Sequence, residues 1–264
     1  MKSGFVNLFG KPNAGKSTLL NTLMGEKLAI VSHKVQTTRH RIKGIITAPE
    51  YQIVLSDTPG IIDPRYKLHE KMMDSVRQAS ADTDVALLLL DGKDSLEENN
   101  IIFSGLNLKV PSIVLINKSD RMTKDEIDSV KVYFMDKNYS AEVLAISALK
   151  KMNTDLLLER IIQMLPEGEP FFDNDEMTDR PVKFFVGEMI REKIFSMYEE
   201  EIPYHTAVLI QEFKEKETLT KIQADIIVQR ETQKGILLGE GGRMIRQLGT
   251  EARKEIEAFI GRKV

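Results

Sequence analysis

The stretch that most constrains this chain is a glycine-bounded loop close to its N-terminus. It reads Gly10-Lys11-Pro12-Asn13-Ala14-Gly15-Lys16-Ser17, and Thr18 follows. An apolar run at 5–9 precedes the loop and helical spacing over 17–24 follows it, which gives the order strand, G-x-x-x-x-G-K-S, helix. Glycines let successive N–H groups turn inward around phosphate oxygens at a helix N-terminus. The pattern predicts a phosphate-binding loop in which Lys16 reaches the β- and γ-phosphates and Ser17 binds Mg²⁺.

The composition is that of a soluble globular protein. The 264 residues are 42% hydrophobic and 29% charged, enough chain for one large domain or two ordinary ones. No apolar run reaches the roughly 18–20 residues that span a bilayer, and the N-terminus lacks a signal-peptide core. The chain has no cysteine, which excludes disulfides and is compatible with the reducing cytoplasm, the location that we expect.

Up to residue 164, short apolar runs alternate with helical segments. This alternation predicts an α/β fold with a doubly wound, largely parallel sheet, whose ligands bind at the carboxyl ends of the strands. The predicted strands are 5–9, 42–47, 52–56, 85–90, 112–116 and 143–146, and the predicted helices are 17–24, 68–81, 95–107, 123–137 and 152–164. The strands 42–47 and 52–56 are close enough in sequence to form a hairpin, so one edge strand is expected to be antiparallel.

A second, smaller α+β domain is predicted after an acidic stretch that is rich in Pro and Gly. The predicted domains are 1–165 and 181–264, joined by a linker at 166–180. The predicted elements of the second domain are helices at 182–198, 231–237 and 243–260 and strands at 206–213 and 221–230. From Arg180 onward the chain carries 15 basic and 14 acidic residues, against 22 and 26 before it. Because this asymmetry is small, any case for nucleic-acid binding depends on a local motif.

Two polar motifs end predicted strands of the first domain. Asp57-Thr58-Pro59-Gly60 follows the third strand, where Asp57 can hold Mg²⁺ through water and the Gly60 N–H can meet a γ-phosphate. Asn117-Lys118-Ser119-Asp120 follows the fifth strand. The Asp120 carboxylate can accept from both N1–H and the exocyclic amine of guanine, a donor pair that adenine lacks. The stem of Lys118 would pack along the base. A backbone N–H of Ser147-Ala148-Leu149, after the last strand, would contact the guanine O6.

In this order the motifs resemble those of the translation-factor-like class of P-loop GTPases. The segment Val35-Gln36-Thr37-Thr38-Arg39-His40 then resembles the first switch of that class. The resemblance implies that Thr38, or alternatively Thr37, binds Mg²⁺ together with Ser17 and Asp57. It also implies that Lys16 neutralises charge during GTP hydrolysis, while Thr38 and Gly60 sense the γ-phosphate.

Two further positions bear on the rate of hydrolysis. Ile61 occupies the position where many small GTPases carry a water-orienting Gln, so intrinsic hydrolysis is expected to be slow. Asn13 matches the position through which some GTPases of this class recruit K⁺. The alternative is that Asn13 only braces the phosphate-binding loop.

The second domain carries a G-x-x-G loop, Gly239-Glu240-Gly241-Gly242, between two predicted helices. It resembles the loop of KH domains, whose backbone clamps about four nucleotides of single-stranded nucleic acid. Four basic residues follow and are predicted to contact RNA: Arg243, Arg246, Arg253 and Lys254. Where KH loops of this kind usually carry lysine, this one has Glu240-Gly241, so its attraction for phosphate is weaker.

Over nearly its whole length the chain resembles the Era family of bacterial GTPases, which combine a GTPase domain with a C-terminal KH domain. The resemblance implies binding near the 3′ end of small-subunit ribosomal RNA, a role in small-subunit assembly and peripheral association with the inner membrane. We also expect the protein to be a monomer. A KH domain of this type adds a third strand, which is expected beyond Val264. Two alternatives remain at this point: a kinase or ATPase on the same loop, which Asp120 opposes, and an RNA-binding module whose nucleotide site is structural or very slow.

Overall fold

The computed structural model describes residues 1–32, 34, 37–64, 67–139 and 142–264. Val35 and Gln36 of the predicted first switch lie outside the described residues. The chain divides into two compact units. The first unit contains Met1–Ala29 and Thr38–Asp179, and the second contains Ile30–Thr37 and Arg180–Val264.

The first unit is built on a sheet whose described strands follow the order β2-β3-β1-β4-β5-β6. The strands are β1 (Lys2–Phe9), β2 (Ile42–Ala48), β3 (Tyr51–Asp57), β4 (Val85–Asp91), β5 (Ser112–Asn117) and β6 (Glu142–Ala145). Only β2 among them is antiparallel to its neighbour, and it lies at the edge. This arrangement confirms the doubly wound, mostly parallel sheet and the hairpin. The central strand β4 is buried at every position from Val85 to Leu90, because helices cover both faces of such a sheet.

Side chains cap the N-termini of some helices of the first unit. The helices of this unit are α1 (Lys16–Met24), α2 (Lys67–Ala81), α3 (Leu96–Gly105), α4 (Lys124–Met135) and α5 (Thr154–Met164). At α4, Thr123 accepts from the Glu126 N–H while Glu126 accepts from the Thr123 N–H, which satisfies two helix-end donors. The helices bury aromatic and aliphatic residues against the sheet, among them Phe103, Phe134, Met72 and Val76. This packing places the ends of β1, β3 and β5 at one edge of the sheet.

The stretch between the two predicted domains is bonded to the first unit. The side-chain amide of Gln52, buried in β3, accepts from the N–H groups of Phe171 (2.7 Å) and Phe172 (3.0 Å). The Ile45 N–H of edge strand β2 donates to the Met177 carbonyl at 2.9 Å. This segment has no helical or strand periodicity, yet it lies on the sheet because its backbone satisfies polar groups of the sheet that would otherwise be buried without partners.

The second unit packs helices on an antiparallel strand pair. Its elements are α6 (Val182–Met197), β7 (Thr206–Glu215), β8 (Thr220–Val228), α7 (Glu231–Leu238) and α8 (Arg243–Ile260). The apolar positions of α8 recur every four residues and form one buried stripe: Leu248, Ala252 and Ile256. They pack with Ile190 and Ile194 of α6 in a core separate from that of the first unit. In neither unit do the described residues form a helix with the length and apolarity that a bilayer crossing needs.

Candidate functional site

The glycine-bounded loop joins β1 to α1 through backbone conformations that favour glycine. Gly10 has φ +151° and Gly15 has φ +100°. A Cβ on Gly10 would lie 2.1 Å from the carbonyl oxygen of Leu89 in β4, and one on Gly15 would lie 2.1 Å from Nδ2 of Asn117. The loop therefore keeps its tight turn only because neither position carries a side chain.

Lys16, at the start of α1, is folded into the loop. Its ammonium donates to the carbonyl oxygens of Gly10 (3.0 Å) and Lys11 (2.8 Å). Burial lowers the pKa of Lys16 to about 8, although the nearby Asp57 carboxylate opposes the shift. Phosphate oxygens would restore favourable solvation to this buried cation, which fits the predicted role of Lys16.

Three predicted magnesium ligands meet beside the loop. The Ser17 hydroxyl donates to Oδ2 of Asp57 at 2.6 Å, the Thr38 hydroxyl donates to the same oxygen at 2.9 Å, and the two hydroxyl oxygens lie 3.0 Å apart. Oδ1 of Asp57 is buried, and no hydrogen-bond partner for it exists among the described residues. Burial raises the pKa of Asp57. An unpartnered carboxylate oxygen beside two hydroxyls is a donor set that suits a hard cation such as Mg²⁺.

The same geometry separates the two candidate threonines. The hydroxyl of Thr38 belongs to the cluster with Ser17 and Asp57, whereas the carbonyl of Thr37 accepts a hydrogen bond from Arg191 within the second unit. The arrangement therefore favours Thr38 as the ligand.

The motif after β3 lies against the glycine-bounded loop. The Thr58 hydroxyl donates to the Leu8 carbonyl at 2.5 Å, and the Ile61 N–H donates to the Gly10 carbonyl at 3.1 Å. A Cβ on Gly60 would lie 2.7 Å from the backbone nitrogen of Pro12. The side chain of Ile61 packs against the apolar core. Because it is a hydrocarbon, it offers a water molecule neither a donor nor an acceptor.

Asn117 connects three loops at the edge of the sheet. Its Nδ2 donates to the Ala14 carbonyl at 2.8 Å, and its Oδ1 accepts from the Ala148 N–H at 3.0 Å. Asp120 is exposed nearby, and a hydrogen bond from Ser147 lowers its pKa. Asn117 therefore brings together the phosphate-binding loop, the loop of Asp120 and residues 147–149.

One further residue of this region belongs to none of the sequence motifs. Asp91 ends β4, and its Oδ2 accepts from the Lys118 ammonium at 2.7 Å. The sequence could have pointed to Asp91 through its position at the carboxyl end of a predicted strand. In a parallel sheet such a carboxylate lies beside the polar end of the neighbouring strand, here Asn117.

The G-x-x-G loop of the second unit forms a tight turn between α7 and α8. Gly239, Gly241 and Gly242 have φ values of +66°, +56° and +74°. The guanidinium of Arg246 donates to the Gly241 carbonyl at 2.8 Å, and Glu240 is exposed. Arg243, Arg253 and Lys254 are exposed on α8, where Lys254 also pairs with Glu251 at 2.9 Å. The turn thus presents exposed backbone at Gly241, and exposed basic side chains follow along α8.

Two family models match the chain in the same two regions. The model described as a 50S ribosome-binding GTPase matches residues 5–118, and the model described as a KH domain matches residues 201–264. These matches agree with the two units and with the motifs within them.

Relatives and solved structures cover the full chain. The chain is 40% identical over 266 residues to GTPase Era of Ruminiclostridium cellulolyticum, covering 100% of this chain and 89% of that one. It is 42% identical over 268 residues to GTPase Era of Leuconostoc citreum, with 100% and 88% covered. A structure of Era in complex with MgGDPNP and nucleotides 1506–1542 of 16S ribosomal RNA superimposes with a TM-score of 0.95 at 37% identity, covering 100% and 91%.

A structure of an Aquifex aeolicus Era variant bound to GDP·AlF4⁻ matches with the same TM-score of 0.95, identity of 37% and coverage. The match to relatives named as GTPases favours a GTPase over a kinase or ATPase on the same loop. The chain belongs to the Era family of GTPases, with a P-loop GTPase domain followed by a KH domain.

Proposed function

We propose that the protein is a magnesium-dependent GTP switch that binds small-subunit ribosomal RNA near its 3′ end and acts in assembly of the small subunit. The proposal of magnesium-dependent GTP binding rests on the cluster of Ser17, Thr38 and Asp57, in which one carboxylate oxygen of Asp57 has no hydrogen-bond partner among the described residues. The RNA half is supported by the KH loop and by the relative whose structure contains 16S ribosomal RNA.

Each part of the nucleotide site has a distinct role in this proposal. Lys16 and backbone N–H groups of residues 10–18, Pro12 excepted, bind phosphate, and Ser17, Thr38 and Asp57 hold Mg²⁺. When bound, Mg²⁺ neutralises charge that develops on the phosphates. Thr38 and the Gly60 N–H respond to the γ-phosphate, while Asp120 reads guanine and the stem of Lys118 covers the ring. Ser147, Ala148 and Leu149 border the guanine O6.

The test of the nucleotide site compares Thr38→Ala with Thr37→Ala. We expect the first variant to lose Mg²⁺-stimulated GTP hydrolysis and the second to retain most of it, because the Thr38 hydroxyl donates to the Asp57 carboxylate, whereas Thr37 is held through its carbonyl by Arg191. Single-turnover hydrolysis, with Mg²⁺ titrated against EDTA, measures both. An equal loss in the two variants would contradict the assignment of Thr38.

We further propose that K⁺ assists hydrolysis through Asn13, since Ile61 cannot orient water. Asn13 is exposed in the loop with φ +63°. We expect faster turnover in K⁺ than in Na⁺ at matched ionic strength, with Asn13→Ala abolishing the difference while GDP binding persists. Rates without an arginine finger lie roughly 10³–10⁵-fold below assisted ones, so partial rescue is measurable by phosphate release. Identical rates in the two salts would leave Asn13 as a brace of the loop.

RNA binding is expected to depend on the turn formed by Gly239–Gly242. Replacing Glu240 and Gly241 together with aspartates places negative charge and side chains where the backbone would approach RNA phosphates. We expect affinity for a single-stranded 16S 3′-end oligonucleotide to fall at least tenfold, as roughly 1–3 kcal/mol is lost per disrupted contact. Basal GTP hydrolysis is expected to persist, because its residues lie in the first unit.

Fluorescence anisotropy measures RNA affinity, and phosphate release measures hydrolysis in the same preparation. Glu231→Asp provides a matched control, since Glu231 is exposed at the start of α7, away from the turn. Equal loss of both activities would indicate misfolding or one composite site. Sequencing of RNA crosslinked to the protein then identifies the bound region.

We further propose that the protein is a monomer in the cytoplasm and, as the family resemblance implies, that it contacts the inner membrane peripherally. Analytical ultracentrifugation tests the oligomeric state, and flotation with lipid vesicles tests the membrane contact. A dimer, or protein that remains at the bottom of the gradient with every lipid, would overturn the respective statement.

A further inference from the structure

Asp91 and Lys118 form an ion pair at the predicted guanine side of the site. Oδ2 of Asp91 lies 2.7 Å from the Lys118 ammonium, and the two side chains are only 24% and 30% exposed. The pair of Lys11 with Glu98 (2.6 Å), by contrast, includes a side chain that is 63% exposed. An ion pair that is partly shielded from water orients its members better than a surface pair does.

The carboxylate of Asp91 is itself fixed in direction. Its Oδ1 accepts from the Lys93 N–H at 3.1 Å, and the Asp91 carbonyl accepts from the Asp94 N–H at 2.9 Å. The next residue, Gly92, donates to the Asn117 carbonyl at 3.3 Å, and a Cβ there would lie 2.0 Å from Sδ of Met122. One oxygen thus secures the turn after β4, and the other is directed at Lys118.

Lys118 is fixed at its backbone but has a long, rotatable side chain. It adopts φ +59°, between Asn117, whose side chain bonds Ala14 and Ala148, and Ser119, whose N–H donates to the Ile146 carbonyl at 3.1 Å. A lysine side chain has more rotamer freedom to lose than most others. Contact with Asp91 restrains the far end, so that both ends of the methylene stem are held.

We infer that Asp91 is a positioning residue for nucleotide binding, which holds the stem of Lys118 in place for packing along the guanine ring. The inference rests on the proposed assignment of Lys118 and Asp120 to guanine. Because the contact concerns the face of the ring and not its edge, Asp91 contributes equally to binding of guanine and hypoxanthine nucleotides. It acts on affinity and leaves the chemical step unchanged.

Asp91→Asn isolates this contact. The amide keeps the Oδ1 acceptor for the Lys93 N–H, but its NH₂ group cannot accept from an ammonium. We expect ribose-labelled fluorescent GDP to dissociate about tenfold faster, as expected for loss of one charge-assisted hydrogen bond. KM for GTP is expected to rise with kcat unchanged, and GDP and IDP to weaken by the same factor. Asp74→Asn, which breaks an exposed pair with Arg77 on α2, is the matched control and is expected to match wild type.

Lys118→Met provides the second variant, since it keeps an apolar stem and removes the charge. If Asp91 acts through Lys118, Asp91→Asn adds no further loss in the Lys118→Met background. A wild-type dissociation rate in Asp91→Asn, or the same added loss in both backgrounds, would overturn the inference. Lys118→Met alone is expected to release GDP as fast as Asp91→Asn, which provides a test even if the latter unfolds.

Failure of the guanine assignment has a different signature. In that case wild-type protein would bind ADP as tightly as GDP, whatever Asp91→Asn does. A wild type selective for GDP, combined with an unchanged Asp91→Asn variant, would refute the role of Asp91 alone.

Discussion

Asp120→Asn is expected to weaken GTP binding and to admit xanthosine triphosphate. Guanine donates from N1–H and its exocyclic amine to the carboxylate, whereas xanthine carries an oxygen at C2 that can accept from the asparagine amide. Loss of the charge-assisted bidentate contact costs about 2–4 kcal/mol, or roughly 30- to 700-fold in affinity. Competition of GTP and xanthosine triphosphate against a labelled nucleotide measures both changes.

Asp128→Asn is the control for this substitution, since Asp128 is exposed on α4 and belongs to no motif. We expect it to retain wild-type affinity for both nucleotides. If Asp120→Asn also retained its affinity for GTP, the guanine assignment would have to be withdrawn, and the base would be recognised by other groups.

Gly10→Ala is expected to produce the largest loss of stability among single substitutions in the loop. Its Cβ would lie 2.1 Å from the backbone oxygen of Leu89, and φ +151° is rarely adopted by residues with side chains. Backbone of the central strand cannot move aside cheaply, so we expect the free energy of unfolding to fall by more than about 4 kcal/mol. Urea unfolding of the nucleotide-free protein measures the change.

Two other glycines of the first unit distinguish the effect of the steric clash at Gly10 from the effect of backbone strain. Gly25 has φ +72°, and a Cβ there would meet no atom within 4 Å, so Gly25→Ala tests backbone strain alone, at about 1–2 kcal/mol. Gly105 ends α3 in open space, and Gly105→Ala is expected to be neutral or slightly stabilising. If Gly10→Ala lowered the free energy of unfolding no more than Gly25→Ala does, the clash with Leu89 would contribute nothing to the loss of stability.

Local signals were sufficient to predict most elements of both units. The apolar run at 85–90 and the helical spacing over 123–137 specify their elements within a few neighbouring residues, and the structure has β4 and α4 there. The phosphate-binding loop could likewise be predicted, because strand, glycines, lysine and helix are contiguous. The fold class then followed from the alternation of elements alone.

Features that depend on distant residues could not be predicted in the same way. The geometric support for Thr38 over Thr37 depends on the position of Asp57, and the proposed role of Asp91 depends on the register between β4 and β5. Gln52 bonds a segment 119 and 120 residues further along the chain. No local pattern encodes such pairs, since their partners are set by how the sheet is assembled.

The stretch between the two predicted domains, which is bonded to the first unit, also has a consequence for solubility. Strand β2 is an outer strand of the sheet, and an open strand edge can pair with another chain and begin aggregation. Residues of this segment cover that edge, because Met177 accepts from Ile45 and Thr178 forms an antiparallel bridge with Gly44. A GTPase domain expressed alone would therefore remain soluble more readily if it ended after Asp179 than at residue 165, where β2 would be left uncovered.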